Sequence, residues 1–141
     1  MPKVYNSIVV NAPVEIVWKR IADFHDFSWA PSVITTCEKV GIKDGTAVGA
    51  QRLLNGAFLD TLIAYSALEH RIMYSIDDAP SPISPSEISG YVGNLHLLPV
   101  TSGNRTFAEW TGTWESTGTE AVSFMNDIYR ALLRDLGQQF E

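Results

Sequence analysis

The chain has 141 residues, of which 45% are hydrophobic, 18% charged and 11% aromatic, a balance that excludes intrinsic disorder and supplies enough apolar surface for one core without staples. Sixteen Asp and Glu against ten Lys and Arg give a net charge of −6, and the scattered cations form no stripe that could follow phosphates, so nucleic acid is not an expected partner. One cysteine, Cys37, excludes an intrachain disulfide, and no apolar run reaches the ~18 to 20 residues that a bilayer demands, so the expectation is a single cytoplasmic domain, residues 1–141, without a membrane span.

Residues 3–10 (KVYNSIVV) read as a strand that stops at Asn11-Ala12-Pro13, where proline suits the first turn of a helix. Val14, Val17, Trp18 and Ile21 recur at helical spacing, and the pattern fails around Phe24-His25-Asp26-Phe27, which predicts a turn or a second small helix leading to Trp29-Ala30-Pro31. Short β-rich runs follow at 33–40, 48–54, 58–68, 71–77, 87–98 and 105–115, separated by Gly, Pro, Asn and Asp, and predict an antiparallel meander. Asn55-Gly56 tolerates the positive φ of a type I′ turn; a two-residue loop there sets Leu54 opposite Ala57, Leu53 opposite Phe58 and Gln51 opposite Asp60. The stretch 77–87 (DDAPSPISPSE) carries three prolines and reads as an irregular surface loop. Val122, Met125, Ile128, Tyr129, Leu132, Leu133 and Leu136 make the apolar stripe of a closing helix from about Glu120 to Phe140.

No nucleophile elbow, phosphate loop or zinc helix is present. His25, His70 and His96 lie far apart in sequence and Cys37 sits in an apolar run, so neither a metal site nor a cofactor is expected. What remains is a sheet and a long helix, an arrangement that can enclose a cavity for a small molecule.

The order strand, helical region, meander and long helix, with the stretches APVEIVWKRIADF, VGAQRLLNG, RIMYSI and RTFAEWTGTWE, resembles the START-like helix-grip (SRPBCC) superfamily in its polyketide cyclase/dehydrase and lipid-transport branch. That resemblance implies an α+β helix-grip fold: a curved antiparallel sheet around a C-terminal helix, with two short helices after the first strand. Plant abscisic-acid receptors are distant members, and their ligand-contacting positions fall on Leu53, Asp60, Tyr74, Ile76, Tyr91, Glu109, Phe124, Ile128 and Leu132, with gate-like positions at Leu54-Asn55-Gly56-Ala57. Their ligand-binding lysine falls at or near Pro31, so their ligand is not carried over.

Strand alternation with Asp60 inward brings Gln51, Leu53, Phe58 and Leu62 with it and leaves Arg52 outside. Glu109 inward puts Trp110 and Trp114 outside, whereas hydrophobicity alone favours the tryptophan face as core. Three functions follow. The first is binding or carriage of a small hydrophobic, non-carboxylate molecule, because a cavity with two acids and no base repels an anion. A second is a cyclase/dehydratase-like enzyme in which Asp60 and Glu109 act as general acid and base. The third is a protein-interaction module using outward Trp110 and Trp114.

Overall fold

The computed structural model describes residues 1–141 as one antiparallel sheet and two helices. In chain order these are β1 (Lys3–Val10), α1 (Val14–Ile21), β2 (Cys37–Val40), β3 (Gln51–Leu54), β4 (Phe58–Ser66), β5 (Arg71–Asp78), β6 (Ser89–Val100), β7 (Arg105–Glu115) and α2 (Glu120–Gln138). The seven strands lie in the order β1-β7-β6-β5-β4-β3-β2, so the meander runs from β2 to β7 and β1 pairs with its last strand. Pro13 caps α1 in an extended conformation, and Val17, Trp18 and Ile21 form its buried face. Only one short helix follows β1. Residues 22–36 run as turns, because Asp23 and Asp26 accept backbone N–H groups from His25 and Ser28 and so compete with helical bonding.

Helix α2 buries Ala121, Met125, Tyr129, Leu132, Leu133 and Leu136 at helical spacing against the sheet. Asp135 is buried on the same helix, where Oδ2 accepts hydrogen bonds from the backbone N–H and the hydroxyl of Ser32, at 2.9 and 2.6 Å. That contact ties the 22–36 segment to α2. Strand β5 runs on to Asp78, so the irregular loop begins at Ala79; Ala79, Ile83 and Ile88 are buried in it, because its three prolines exclude ladder pairing but do not prevent apolar side chains from covering the end of the core.

The β3–β4 turn departs from its two-residue expectation in a way that matters for the cavity. Asn55 and Gly56 have φ of 54° and 64°, and Ala57 N donates to Leu54 O at 2.9 Å, as a type I′ turn requires. The ladder nevertheless resumes with Leu54 opposite Phe58 and Arg52 opposite Asp60, leaving Ala57 as an extra residue. One added residue shifts the register by one position, so Arg52, Leu54, Phe58 and Asp60 share the inner face.

On β7 the alternation is clear: Thr106, Ala108, Trp110 and Trp114 are buried and Phe107, Glu109, Thr111 and Thr113 face outward. Trp110 and Trp114 are each 1% exposed, so they are core and offer no partner surface. Trp110 stacks on Tyr129 of α2 with centroids 4.9 Å apart, and Trp114 stacks on Tyr91 at 5.4 Å. Gly93 and Gly112 stand opposite each other on β6 and β7, and their bareness makes room for the tyrosines. A Cβ on Gly93 would lie 2.2 Å from the Tyr74 ring, and one on Gly112 would lie 2.3 Å from the Tyr91 hydroxyl. Gly93→Ala is therefore expected to destabilise the fold by about 1 to 3 kcal/mol through displacement of a rigid ring, read as a lower urea midpoint; an unchanged midpoint would contradict the packing described.

Candidate functional site

Between the inner face of the sheet and α2 lies a cavity of about 190 Å³ lined by 16 residues, 13 of them hydrophobic. Strands β3, β4, β5 and β7 supply Arg52, Leu54, Phe58, Asp60, Tyr74, Ile76 and Trp110; α2 supplies Phe124, Met125, Ile128, Tyr129 and Leu132; Phe27, Val33 and Ile34 come from the segment before β2. Val33, Ile34, Phe58, Ile76, Phe124 and Ile128 are only half-buried, whereas Arg52, Asp60, Tyr74, Trp110 and Tyr129 are buried. Apart from Asn55, the polar groups therefore lie deep, and half-buried apolar side chains surround the approach. Asn55 holds that approach together: its Oδ1 accepts from Thr35 N at 2.7 Å and its Nδ2 donates to Val33 O at 2.9 Å, which fastens the β3–β4 turn to the 33–36 segment.

At the buried end, Arg52 Nε donates to Asp60 Oδ2 at 3.1 Å and Arg52 Nη1 donates to Phe24 O at 3.2 Å. The two residues are 6% and 2% exposed. Their geometry follows from the β3–β4 register, which makes them direct cross-strand partners. The guanidinium carbon of Arg52 sits 3.8 Å from the Phe24 ring centroid and 4.6 Å from that of Phe27, so aromatic faces share its charge. Asp60 Oδ1 is buried and has no hydrogen-bond partner in the protein. Burial pushes the Asp60 carboxyl up to about 6, with the adjacent guanidinium of Arg52 opposing that rise.

Beside this pair runs a chain of hydroxyls. Trp110 Nε1–H donates to the Tyr74 hydroxyl at 3.0 Å, Tyr74 shares a 2.7 Å hydrogen bond with Tyr129, and Tyr129 shares a short one with Tyr91. Burial raises all three phenols above the ordinary tyrosine range, so they are neutral donors and acceptors at physiological pH.

Phe58, Asp60, Tyr74, Ile76, Phe124, Ile128 and Leu132 line the cavity, as does Leu54 of the gate-like positions. Tyr91 stands behind Tyr129 and reaches the cavity only through that hydroxyl. Leu53 faces outward opposite Leu59, because the extra residue at the turn reversed its parity. Glu109 is on the outer face too: its Oε1 accepts from the Tyr5 hydroxyl at 2.8 Å and its Oε2 lies 3.5 Å from His96 Nδ1. The sheet separates it from Asp60, so the two carboxylates do not meet and cannot serve one substrate as acid and base. Arg52, expected outside, is the cation of the cavity, which therefore holds one acid paired with one base rather than two acids and no base. Only a demand for a counter-charge, once Asp60 is buried, could have found Arg52 in the sequence. Trp29 packs on Phe27 with centroids 4.8 Å apart and anchors that segment; it does not line the cavity.

Two predictions test this geometry. Removing Arg52 alone, as Arg52→Met, leaves a buried carboxylate unpaired and is expected to cost about 3 to 5 kcal/mol at pH 7, while Arg52→Met with Asp60→Leu recovers most of that loss; urea unfolding of the set decides it. The second concerns pH. The folded-state value for Asp60, about 6, lies above its ordinary 3.8, so the stabilisation it lends when protonated is complete below the lower value and is lost as pH rises through the higher one. From pH 7 to pH 5 this one carboxyl should add about 1 kcal/mol of stability, measured against the double variant so that other groups cancel. Carboxyl-detected NMR titration of Asp60 near 3.8 would contradict the burial described.

A family model described as polyketide cyclase / dehydrase and lipid transport matches residues 1–141. No curated protein sequence matches the chain. Among solved structures, a protein from Nitrosospira multiformis is 67% identical, with a TM-score of 0.98 over 99% of this chain and 97% of its own. A Thermobifida fusca protein at 21% identity (TM-score 0.83, 99% and 93% coverage) and ginseng major latex-like protein 151 from Panax ginseng at 14% (TM-score 0.78, 99% and 97%) share the fold. With the family model matching from the first residue to the last, the chain belongs to the polyketide cyclase / dehydrase and lipid transport family, on a helix-grip fold.

Proposed function

We propose that this protein binds a small, mainly apolar molecule in the cavity between the sheet and α2, with Phe58, Asp60, Tyr74, Ile76, Phe124, Ile128 and Leu132 among its contacts. The observation that carries this reading is a cavity of about 190 Å³ with an apolar approach and one buried polar end. Its size narrows the ligand class. An apolar cavity of ~150 Å³ takes up benzene, whereas drug-sized ligands fill pockets of roughly 300 to 1,000 Å³. A body of about one ring fits; a folded poly-carbonyl chain or a long acyl chain does not fit without opening the approach. The absence of a second cavity carboxylate weighs against a two-carboxylate cyclase or dehydratase, and favours binding or carriage.

The test is NMR titration with toluene and with hexadecanol, reading the Trp110 indole and the Phe58 and Phe124 rings. Toluene is expected to shift these signals saturably and to raise the unfolding temperature as a ligand of the folded state must, while hexadecanol does not. Leu132→Trp should remove toluene binding without loss of stability, because the added ring enters free volume rather than a packed core. Loss of several kcal/mol in that variant, or no response of the wild type to toluene, would overturn the reading.

A further inference from the structure

We infer that the ligand carries a neutral hydrogen-bond donor on a body of about one aromatic ring, of the phenol or aryl-alcohol class, and that Asp60 Oδ1 receives it with Arg52 as the residue that positions the carboxylate. This rests on the cavity being a ligand site, as proposed above, and goes further by assigning the ligand's polar chemistry. The carboxylate is held from one side only. Arg52 Nε occupies Oδ2 at 3.1 Å, while Oδ1, on a residue 2% exposed that lines the cavity, has no partner in the protein. A buried acceptor left unpaired costs on the order of 1 to 3 kcal/mol, more when charged, so a donor arriving there recovers a standing penalty.

Charge selects among donors. Arg52 and Asp60 neutralise each other, so a ligand ammonium would leave the buried end with a net positive charge against Arg52, and a ligand carboxylate would leave a net negative charge against Asp60. A neutral hydroxyl avoids both. The ring follows from the walls: Phe27, Phe58, Trp110, Phe124 and Tyr129 offer aromatic edges and faces around the same space.

The experiment compares p-cresol with p-xylene, which replaces the hydroxyl by a methyl group of similar size, and adds benzoate and benzylammonium. Without an acceptor, burying the hydroxyl makes cresol the weaker ligand; with one, cresol binds the wild type at least as tightly as xylene. In Arg52→Met with Asp60→Leu the ratio of the two dissociation constants is expected to shift at least about tenfold against cresol. A wild-type measurement stands beside the variant: the Asp60 carboxyl carbon signal should move on adding cresol and stay on adding xylene, and the charged compounds should bind more weakly than cresol. If xylene binds but cresol is as disfavoured in the wild type as in the variant, or if either charged compound binds more tightly than cresol, the donor assignment is wrong and the cavity reading survives. If none of the four binds, both fall.

Discussion

The buried ion pair between Arg52 and Asp60 constrains one end of this molecule more than any other contact. Two charges removed from water need each other and further hydrogen-bond partners, and the surroundings meet that need for Arg52 while leaving Asp60 Oδ1 open. Arg52 Nη1 reaches the carbonyl of Phe24, which brings the irregular segment after α1 over the sheet. The rings of Phe24, Phe27 and Tyr74 then close around the guanidinium. The pair exists because β3 and β4 are joined by a turn with one residue more than the minimum, so that residues of opposite charge become direct cross-strand neighbours on the inner face.

That pair also explains why the cavity is polar at one end only. Hydrophobic side chains on α2 and the inner strands would otherwise fill the space between helix and sheet as they do farther along, where Trp114, Tyr91 and Tyr129 pack and share hydrogen bonds. The tyrosines need the volume that Gly93 and Gly112 vacate. Packing is therefore dense on one side of Tyr129 and open on the other. Asp60 is raised toward neutrality by the dryness of this buried, mainly apolar end.

The outer face follows ordinary surface rules. Glu109, His96 and Arg71 form a cross-strand row of alternating polar groups, with Tyr5 and Asn94 completing hydrogen bonds at its flanks. Such a row suits a solvated sheet surface and leaves Asp60 as the one carboxylate in the cavity. Likeness to distant helix-grip proteins thus identifies strands more securely than faces: one residue of register separates Glu109 from Trp110, and it decides which of them meets the cavity.

Apart from the second short helix expected after β1, the element order and types, the antiparallel meander and the apolar stripe of α2 were legible in the sequence, because each rests on local signals: β-branched runs, the Asn55-Gly56 turn, prolines and 3.6-residue spacing. Tyr74, Ile76, Phe124, Ile128 and Leu132 were pointed to by the family resemblance rather than by local pattern, and their side chains line the cavity. What only the tertiary structure decided were the faces of β3 and β7 and the company of Asp60. Period-two alternation has two equal solutions, and one extra turn residue, Ala57, chooses between them for β3. Arg52 reads as a solvent residue by type, and only the carboxylate opposite it, brought inside by that register, makes its burial favourable.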